Sequence, residues 1–210
     1  DNIESPTQPT LNNPLTIEAV QWYTDLFTRY HVSMPPDTMR ASFRGGVYEA
    51  SVRGRCGVWM GWYSARGGLD TQYKWNIEWK MLPMPRDRVE FGIGDIDAYY
   101  LSKSCTHPRE ALRFVRFLVD RFESSGQKLP PRRSLVESPA YTRAVGESVA
   151  NVAKTFSDKV LIVPTTVAPG LEKVGASLIA ALNRVILEGQ SVPAALADAQ
   201  KECQAVFQKL

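Results

Sequence analysis

The sequence contains few of the residues that bind metals or act as nucleophiles. Its 210 residues include three cysteines, at positions 56, 105 and 203, and two histidines. No two cysteines form a close metal-ligand pair, so the sequence does not favour a zinc site. The count is compatible either with one disulfide and a free thiol or with three reduced thiols, so it does not indicate the cellular compartment.

The motifs of common enzyme classes are absent as well. The sequence has no Gly-x-Ser-x-Gly elbow, no phosphate-binding loop with Gly-Lys-Ser/Thr and no dinucleotide-binding glycine fingerprint. Neither histidine lies near a nucleophile in the pattern of a Ser-His or Cys-His site. We therefore predict that the protein is not an enzyme and that it needs no cofactor or metal.

Long apolar runs and a strong net charge are also lacking. No apolar run approaches the roughly 20 residues of a membrane-spanning helix. The start of the chain has no charged and apolar leader, so we expect any export signal to have been removed or to lie outside this chain. Basic and acidic residues are interspersed and the formal net charge is only +3, which does not predict nucleic-acid binding.

What remains is the composition of a soluble globular protein, with 44% hydrophobic and 22% charged residues. Residues 1–11 are polar and contain two prolines, which predicts a linker-like segment without a core of its own. Asn13 and Pro14 are typical of a helix start, and apolar spacing predicts a helix to about His31. Similar signals predict helices at about Thr38–Phe43, Val47–Val52, Pro139–Ala153, Leu171–Leu187 and Val192–Phe207.

Four short apolar runs predict strands, the last of which is alternatively an extended crossing. They are Cys56–Met60, Trp75–Met81, Ala98–Leu101 and Val160–Pro164. Trp75–Met81 alternates apolar and polar residues, as a half-buried strand does, whereas Ala98–Leu101 is predicted to be a buried strand. Phe91–Asp97, just before it, is predicted to be a glycine-bounded turn.

A helix with a mixed apolar and basic pattern follows the third strand. It is predicted to begin at Pro108, after Thr106 or His107 as its cap, and to reach Phe122 with one apolar face buried. Its arginines have the spacing of a solvated helix face. They are Arg109, Arg113, Arg116 and Arg121.

Asp95 and Asp97 are the one acid pair that invites a catalytic interpretation. On one strand their Cβ atoms would lie about 7 Å apart, which falls in the range of inverting glycosidases. The two carboxyl groups of such an enzyme flank the substrate from opposite sides, however, and two residues of one strand do not easily do so. Turn formation also explains the pair, so a glycoside-active enzyme is the alternative to the main interpretation.

Aromatic residues are concentrated between positions 59 and 79. They include Trp59, Trp62, Tyr63, Trp75 and Trp79. Aromatic rings present flat apolar faces with a polar edge, which suits the C–H face of a sugar, and nearby Asp and Arg can bind the sugar hydroxyls. Trp59, Trp75 and Trp79 lie on predicted strands and are interpreted as core residues.

Trp62 follows Gly61 at the end of a predicted strand, so a core role and a ligand-stacking role are equally compatible with its position. The same holds for Asp95 and Asp97 as hydroxyl acceptors. Arg132, held by Pro130 and Pro131, is either a ligand or hinge contact or a surface arginine. If all the aromatic residues belong to the core, the chain is instead a structural or interaction domain.

Taken in order, these signals resemble the second half of the extracytoplasmic solute-binding proteins of ABC transporters, in the sugar-binding group that includes maltose-binding protein. Four passages carry the resemblance. The first is Val52–Trp62, with a helix-end glycine and a Gly-Trp turn, and the second is Trp75–Pro85, with a strand ending in Leu-Pro. The third is Gly94–Leu118, with a strand and a Pro-x-Glu-Ala helix. The fourth is Leu187–Gln200, which contains the closing helix pair.

The resemblance implies an α/β protein of the periplasmic-binding-protein type II class, in which two lobes close on a ligand. Residues 1–85 would begin the C-terminal lobe, residues 86–158 would belong to the N-terminal lobe, and residues 159–210 would return to the C-terminal lobe. The implied function is capture of a carbohydrate and its delivery to the membrane permease of an ABC importer. The implied location is extracytoplasmic, in the periplasm or anchored as a lipoprotein to the outer face of the cell membrane.

The resemblance also points to ligand-binding residues. Trp62 matches the family's cleft tryptophan, and the Gly94–Asp97 turn matches a cleft-facing position. The predicted ligand-binding set is Trp62, Tyr63, Gly94, Asp95, Asp97 and Arg132.

Two departures from the family pattern qualify these expectations. Val174 and Gly175 replace an aromatic pair of maltose-binding protein, so the ligand need not be a maltodextrin. The opening strands of the family have no counterpart here, so the two-lobe architecture is expected to be incomplete. We therefore expect a fragment of a longer protein, or one half that needs a partner chain.

Overall fold

The computed structural model describes residues 8–68, 74–162 and 171–207. In this part the protein is mostly helical, with one small parallel sheet, so it is α/β only in a coarse sense. The helices are α1 (Pro14–Thr28), α2 (Pro36–Ser42), α3 (Gly46–Val52), α4 (Pro108–Val119), α5 (Arg133–Val136), α6 (Pro139–Val145), α7 (Glu147–Phe156), α8 (Leu171–Glu188) and α9 (Val192–Phe207). The strands are β1 (Gly92–Gly94) and β2 (Val160–Ile162).

The chain divides into two compact units. Unit 1 combines residues 1–46 with residues 163–210, and unit 2 comprises residues 47–162. Residues 47–85 thus belong with the middle of the chain in this division. The assignment of residues to lobes at 85/86 and 158/159 stays a prediction.

Unit 1 is built on the packing of α1, α8 and α9. The start of α1 follows from its sequence, because the side chain of Asn13 accepts a hydrogen bond from the backbone N–H of Thr16 at 2.9 Å and Pro14 lacks a donor. The helix ends at Thr28, three residues before the predicted end. Small residues let α8 and α9 approach closely, and the core consists of Leu11, Val20, Ala181, Val185, Val192, Ala195, Leu196, Ala199 and Cys203.

The segment before α1 takes part in this core. Leu11 is buried, and its backbone N–H donates to Oε1 of Gln200 on α9 at 2.7 Å. The amide group of Gln200 donates in turn to the carbonyl of Pro9, also at 2.7 Å. Residues 8–11 therefore do not lack a core, contrary to the sequence-based expectation. Residues 1–7 of the predicted linker lie outside the described part.

The sheet of unit 2 pairs β1 and β2 in parallel, with Gly92 opposite Val160, Ile93 opposite Leu161 and Gly94 opposite Ile162. Glycine is required in β1 by close packing. A Cβ atom on Gly94 would lie 2.6 Å from Cγ1 of Val160. The predicted strand at residues 160–164 is confirmed over Val160–Ile162, and its last two residues lie outside the described part.

Three predicted strands are wrong. Cys56–Met60, Trp75–Met81 and Ala98–Leu101 have irregular backbone, and the last of these is exposed rather than buried, with Tyr100 at 91% exposure. The alternation in Trp75–Met81 does correspond to alternating half-buried and exposed side chains, but no ladder forms. Phe91–Asp97, predicted as a turn, contains β1 instead.

The predicted helices of unit 2 exist, with two differences. The segment predicted as one helix at 139–153 forms α6 and α7, because Gly146 adopts a φ of 85° between them. The helix predicted from Pro108 to Phe122 is α4, which ends at Val119, and none of its residues is buried. Val136, Tyr141 and Ala153 form the buried cluster that joins α5, α6 and α7.

Candidate functional site

The six predicted ligand-binding residues all lie in unit 2. Several of them are connected by hydrogen bonds or ion pairs to one short segment, residues 127–133. Trp62 precedes a 3₁₀ turn at Tyr63–Ala65, and its carbonyl accepts a hydrogen bond from the N–H of Ala65 at 2.9 Å. Its side chain is 56% exposed. Trp62 therefore combines a fixed backbone with an accessible indole ring.

Tyr63, the next residue, is engaged on two sides. Its hydroxyl shares a hydrogen bond with the hydroxyl of buried Tyr141, and the guanidinium of Arg66 lies 4.4 Å from the centre of its ring. Burial raises the pKa of Tyr63 well above the ordinary value of 10.0, and the hydrogen bond with Tyr141 adds to this effect. The side chain of Tyr63 therefore packs within the protein and supports the turn, whereas the side chain of Trp62 is exposed.

Arg66 and Gln127 connect this turn to the 127–133 segment. Arg66 donates from Nη1 to the carbonyl of Tyr63 at 3.1 Å and to the carbonyl of Gln127. With its amide oriented to satisfy both groups, Gln127 donates to the carbonyls of Ser64 at 2.7 Å and of Arg66 at 2.8 Å. Hydrogen bonds in both directions thus fix the turn that carries Trp62.

Three ion pairs hold the rest of the 127–133 segment. Lys128 pairs with Asp97, and Nε of Arg132 lies 2.7 Å from Oδ1 of Asp120 at the end of α4. Arg133 pairs with Asp158, which follows α7. All six side chains are exposed, so each pair contributes little to stability. The three ion pairs instead position residues 127–133. Two of the pairs contain a predicted ligand-binding residue, Asp97 in one and Arg132 in the other.

Gly94, Asp95 and Asp97 lie at and after the end of β1. Gly94 packs against the side chain of Val160. Asp95 is exposed and forms no ion pair with any residue that the structure describes. Neither aspartate belongs to a strand, so the strand spacing on which the glycosidase alternative depended is not present.

A shallow depression of about 270 Å³ adjoins the same segment. Its lining consists of Leu129, Pro130, Pro131, Arg133, Val136, Ser157 and Val160. None of the six predicted ligand-binding residues contributes to it, although Arg132 lies between two lining residues in the chain. Trp62 and Asp95 do not share this depression.

The other three tryptophans stack on one another. The rings of Trp59 and Trp75 are 5.0 Å apart and those of Trp75 and Trp79 are 5.1 Å apart, both edge to face. All three are half-buried, and Nε1 of Trp75 is buried and has no hydrogen-bond partner among the described residues. Aromatic pairs in this geometry stabilise a fold beyond the area that they bury. The arrangement agrees with a structural role for these three residues.

Sequence reasoning did not identify Tyr141, Arg66 and Gln127 as parts of this region. Tyr141 lies on α6, 78 residues from its partner Tyr63, and Gln127 lies 61 residues from Arg66. None of these three residues lies in a local sequence pattern that distinguishes it from an ordinary helix or loop residue. Only the tertiary fold brings them together.

Over residues 8–68, 74–162 and 171–207, no group of three or more His, Cys, Asp or Glu side chains is arranged to hold a metal ion. The helices in the same part of the chain are too short or too polar to cross a membrane. Comparison of the chain with models of known protein families and with curated proteins gives no match.

Proposed function

We propose that this chain is part of a solute-binding protein of the two-lobe, type II class, which captures a carbohydrate and delivers it to the permease of an ABC importer outside the cytoplasm. The sequence resemblance over four ordered passages supports this proposal, although the strands expected within Trp75–Pro85 and at Ala98–Leu101 do not form. The structural observation that carries the ligand class is Trp62, an exposed tryptophan on a backbone fixed by hydrogen bonds. The proposal involves binding without chemistry.

Trp62 meets the physical requirements of a sugar platform. An indole ring offers a large apolar face that covers the C–H groups of a pyranose, and its polar edge remains in water. The turn behind it is already ordered by Arg66 and Gln127, so little conformational entropy is lost when a ligand stacks there. We expect Tyr63 to support the platform rather than to stack on the ligand itself, because Tyr141 and Arg66 engage it.

The polar groups of the region fit hydroxyl recognition. Asp95 offers an exposed acceptor, and the pairs Asp97–Lys128 and Asp120–Arg132 offer an acceptor beside a donor. A sugar hydroxyl donates to a carboxylate and accepts from a cation, so it can be accommodated within such a pair. Because exposed ion pairs are weak, their rearrangement around a ligand costs little. Gly94 would act through the close packing of β1 on β2.

Isothermal titration calorimetry of the full chain against a panel of mono- and oligosaccharides tests the proposal. We expect binding heat with at least one sugar and a negative heat-capacity change, because stacking buries apolar surface. An absence of heat with every sugar, combined with clear heat for peptides or polyamines, would refute the carbohydrate assignment. Hydrolysis of an aryl glycoside that is lost in Asp97→Asn would show that the protein is an enzyme instead.

A further inference from the structure

The face of α4 that is turned to solvent carries a row of arginines. Arg109, Arg113 and Arg116 are spaced by four and three residues, so they share one side of the helix and span about 10 Å along it. All three are exposed. The opposite side, formed by Ala111, Val115, Leu118 and Val119, is half-buried. The row, called the α4 ridge below, therefore points away from the body of unit 2.

The α4 ridge makes no ion pair within the part of the chain that the structure describes, although Glu110 lies in the first turn of α4 and Asp120 caps its end. None of its three arginines forms an ion pair there, whereas Arg132 and Arg133 in the same unit each bind an aspartate. Residues 98–119 contain four basic residues and one acidic residue, so they carry as much net charge as the whole chain, which is +3. Asp95, Asp97 and Asp120 lie just outside this window, so the excess of positive charge is local to residues 98–119.

Exposed apolar side chains flank the α4 ridge on both sides. At about 100° per residue, Leu112 lies on one side of the three arginines and Phe117 lies on the other. Each of these two side chains is 52% exposed. Arg121 stacks on the ring of Phe117, with its guanidinium 4.6 Å from the ring centre, and adds a fourth cation.

The residues just before α4 are also exposed, and they are of the types that occur at membrane interfaces. Tyr99, Tyr100 and Leu101 are all exposed, and Tyr100 is the most exposed large hydrophobic side chain in the described part of the protein. Tyrosine has an apolar ring and a polar hydroxyl and is enriched where proteins meet the headgroup region of a membrane. Lys103 follows within two residues.

We propose that the α4 ridge binds the surface of a membrane that contains anionic lipids. The arginines would contact lipid phosphates, while Leu112 and Phe117 enter the boundary between headgroups and acyl chains. The proposal does not depend on carbohydrate binding.

A lipid surface fits better than a groove on an acidic protein. A helix that binds in a groove presents apolar anchors at i, i+3 or i+4, and i+7. In α4 the residues at that spacing, Ala111, Val115 and Leu118, are half-buried, and Phe114 beside them is 61% exposed. What the helix offers to a partner is a row of cations between separate apolar side chains, which matches a flat and fluid anionic surface.

Vesicle flotation with the full chain tests this proposal. We expect the protein to float with phosphatidylcholine vesicles that contain about 30% phosphatidylglycerol and not with phosphatidylcholine alone. Binding should weaken strongly between about 0.1 M and about 1 M salt, where the Debye length falls from about 10 Å to about 3 Å. An absence of flotation with anionic vesicles, or equal flotation with both kinds, would overturn the proposal.

Two matched charge-reversal variants distinguish vesicle binding by the α4 ridge from a general effect of the net charge of the protein. Arg113→Glu should weaken binding to anionic vesicles at least tenfold, because it changes two charge units at the surface and each is worth a factor of about five. Arg143→Glu makes the same charge change at an exposed position of α6 and should have a much smaller effect. Equal losses in the two variants would contradict a role specific to α4.

A separate set of variants tests how much the exposed apolar side chains of α4 contribute to vesicle binding. Leu112→Ser combined with Phe117→Ser should reduce binding severalfold, whereas Ile179→Ser, at an exposed position of α8, should not. Unchanged binding in the double variant would refute the insertion of apolar side chains. Binding of the wild type to polyglutamate but not to anionic vesicles would show that an acidic polypeptide is the partner instead. Far-UV circular dichroism checks that each variant is folded.

Discussion

Unit 1 and unit 2 bury their apolar residues to different extents. Among the described residues, nine of the ten buried apolar side chains of unit 1 form one cluster, whereas only three of the eight in unit 2 do. Most of the exposed large hydrophobic side chains in the described part of the chain belong to unit 2. Around residues 127–133 unit 2 also has hydrogen bonds and exposed ion pairs, and the ion pairs add little stability. Both binding surfaces proposed above, around Trp62 and along α4, lie in unit 2.

Truncation of a leucine in each unit should give the largest contrast. Leu196 on α9 is fully buried, so Leu196→Ala should lower the free energy of unfolding by about 2–5 kcal/mol. Leu112→Ala removes the same atoms from an exposed position of α4 and should change it by no more than about 0.5 kcal/mol. Urea denaturation followed by circular dichroism measures both values. Similar costs for the two variants would contradict the difference between the units.

The attachment of residues 8–11 to α9 should have the next largest effect. Gln200→Ala removes the partners of the Leu11 N–H and the Pro9 carbonyl, and Leu11 lies in the core. A buried polar group without a partner costs about 1–3 kcal/mol, so we expect a loss of that size in the free energy of unfolding. Gln21→Ala, at an exposed position of α1, is the matched control and should be nearly neutral. A neutral Gln200→Ala would show that this attachment adds nothing to unit 1.

The pair of tyrosines tests unit 2. Tyr141→Phe leaves the hydroxyl of Tyr63 without its partner and should cost about 1 kcal/mol of stability. Tyr100→Phe changes an exposed side chain and should cost nothing measurable. Urea denaturation compares the two. An equal effect of both variants would mean that the Tyr63–Tyr141 hydrogen bond does not stabilise unit 2.

The same pair predicts a pH dependence. Burial holds the pKa of Tyr63 above its ordinary value of 10.0, so the folded protein keeps a proton that the unfolded chain releases. The stability that this group contributes is complete below that value and decreases as the pH rises above it. Absorbance titration of the tyrosines should therefore lose its most alkaline component in Tyr63→Phe. An unchanged titration curve would contradict the burial of this hydroxyl.

The two units also differ in how well sequence reasoning predicts them. In unit 1 the helices follow from local signals, such as the Asn13 cap and the glycine between α8 and α9. In unit 2 a strand depends on a partner far away in the chain. β1 has only three residues, two of them glycine, and it pairs with β2 more than sixty residues later. Ala98–Leu101 has the composition of a strand, but no partner for it exists among the described residues.

The candidate site shows the same limit. The position of Trp62 after Gly61 was equally compatible with a core role and a ligand-stacking role, so its exposure did not follow from the sequence. The partners of Asp97 and Arg132 could not be anticipated either, because Lys128 and Asp120 carry no pattern that distinguishes them from other surface charges. The amphipathic pattern of α4 predicted a buried face, yet the structure leaves all of its residues at least partly exposed. Periodicity identifies an apolar face and does not reveal what covers it.

The most direct test of a ligand-binding role for unit 2 compares two exposed tryptophans. Trp62 in unit 2 and Trp22 in unit 1 are exposed to 56% and 63%, so alanine at either position removes a similar surface ring. Calorimetry with the best sugar of the panel should show that Trp62→Ala weakens binding by at least about 1 kcal/mol, roughly fivefold. Trp22→Ala should bind as the wild type does. Unchanged affinity in Trp62→Ala, or equal losses in both variants, would contradict the assignment of sugar binding to Trp62.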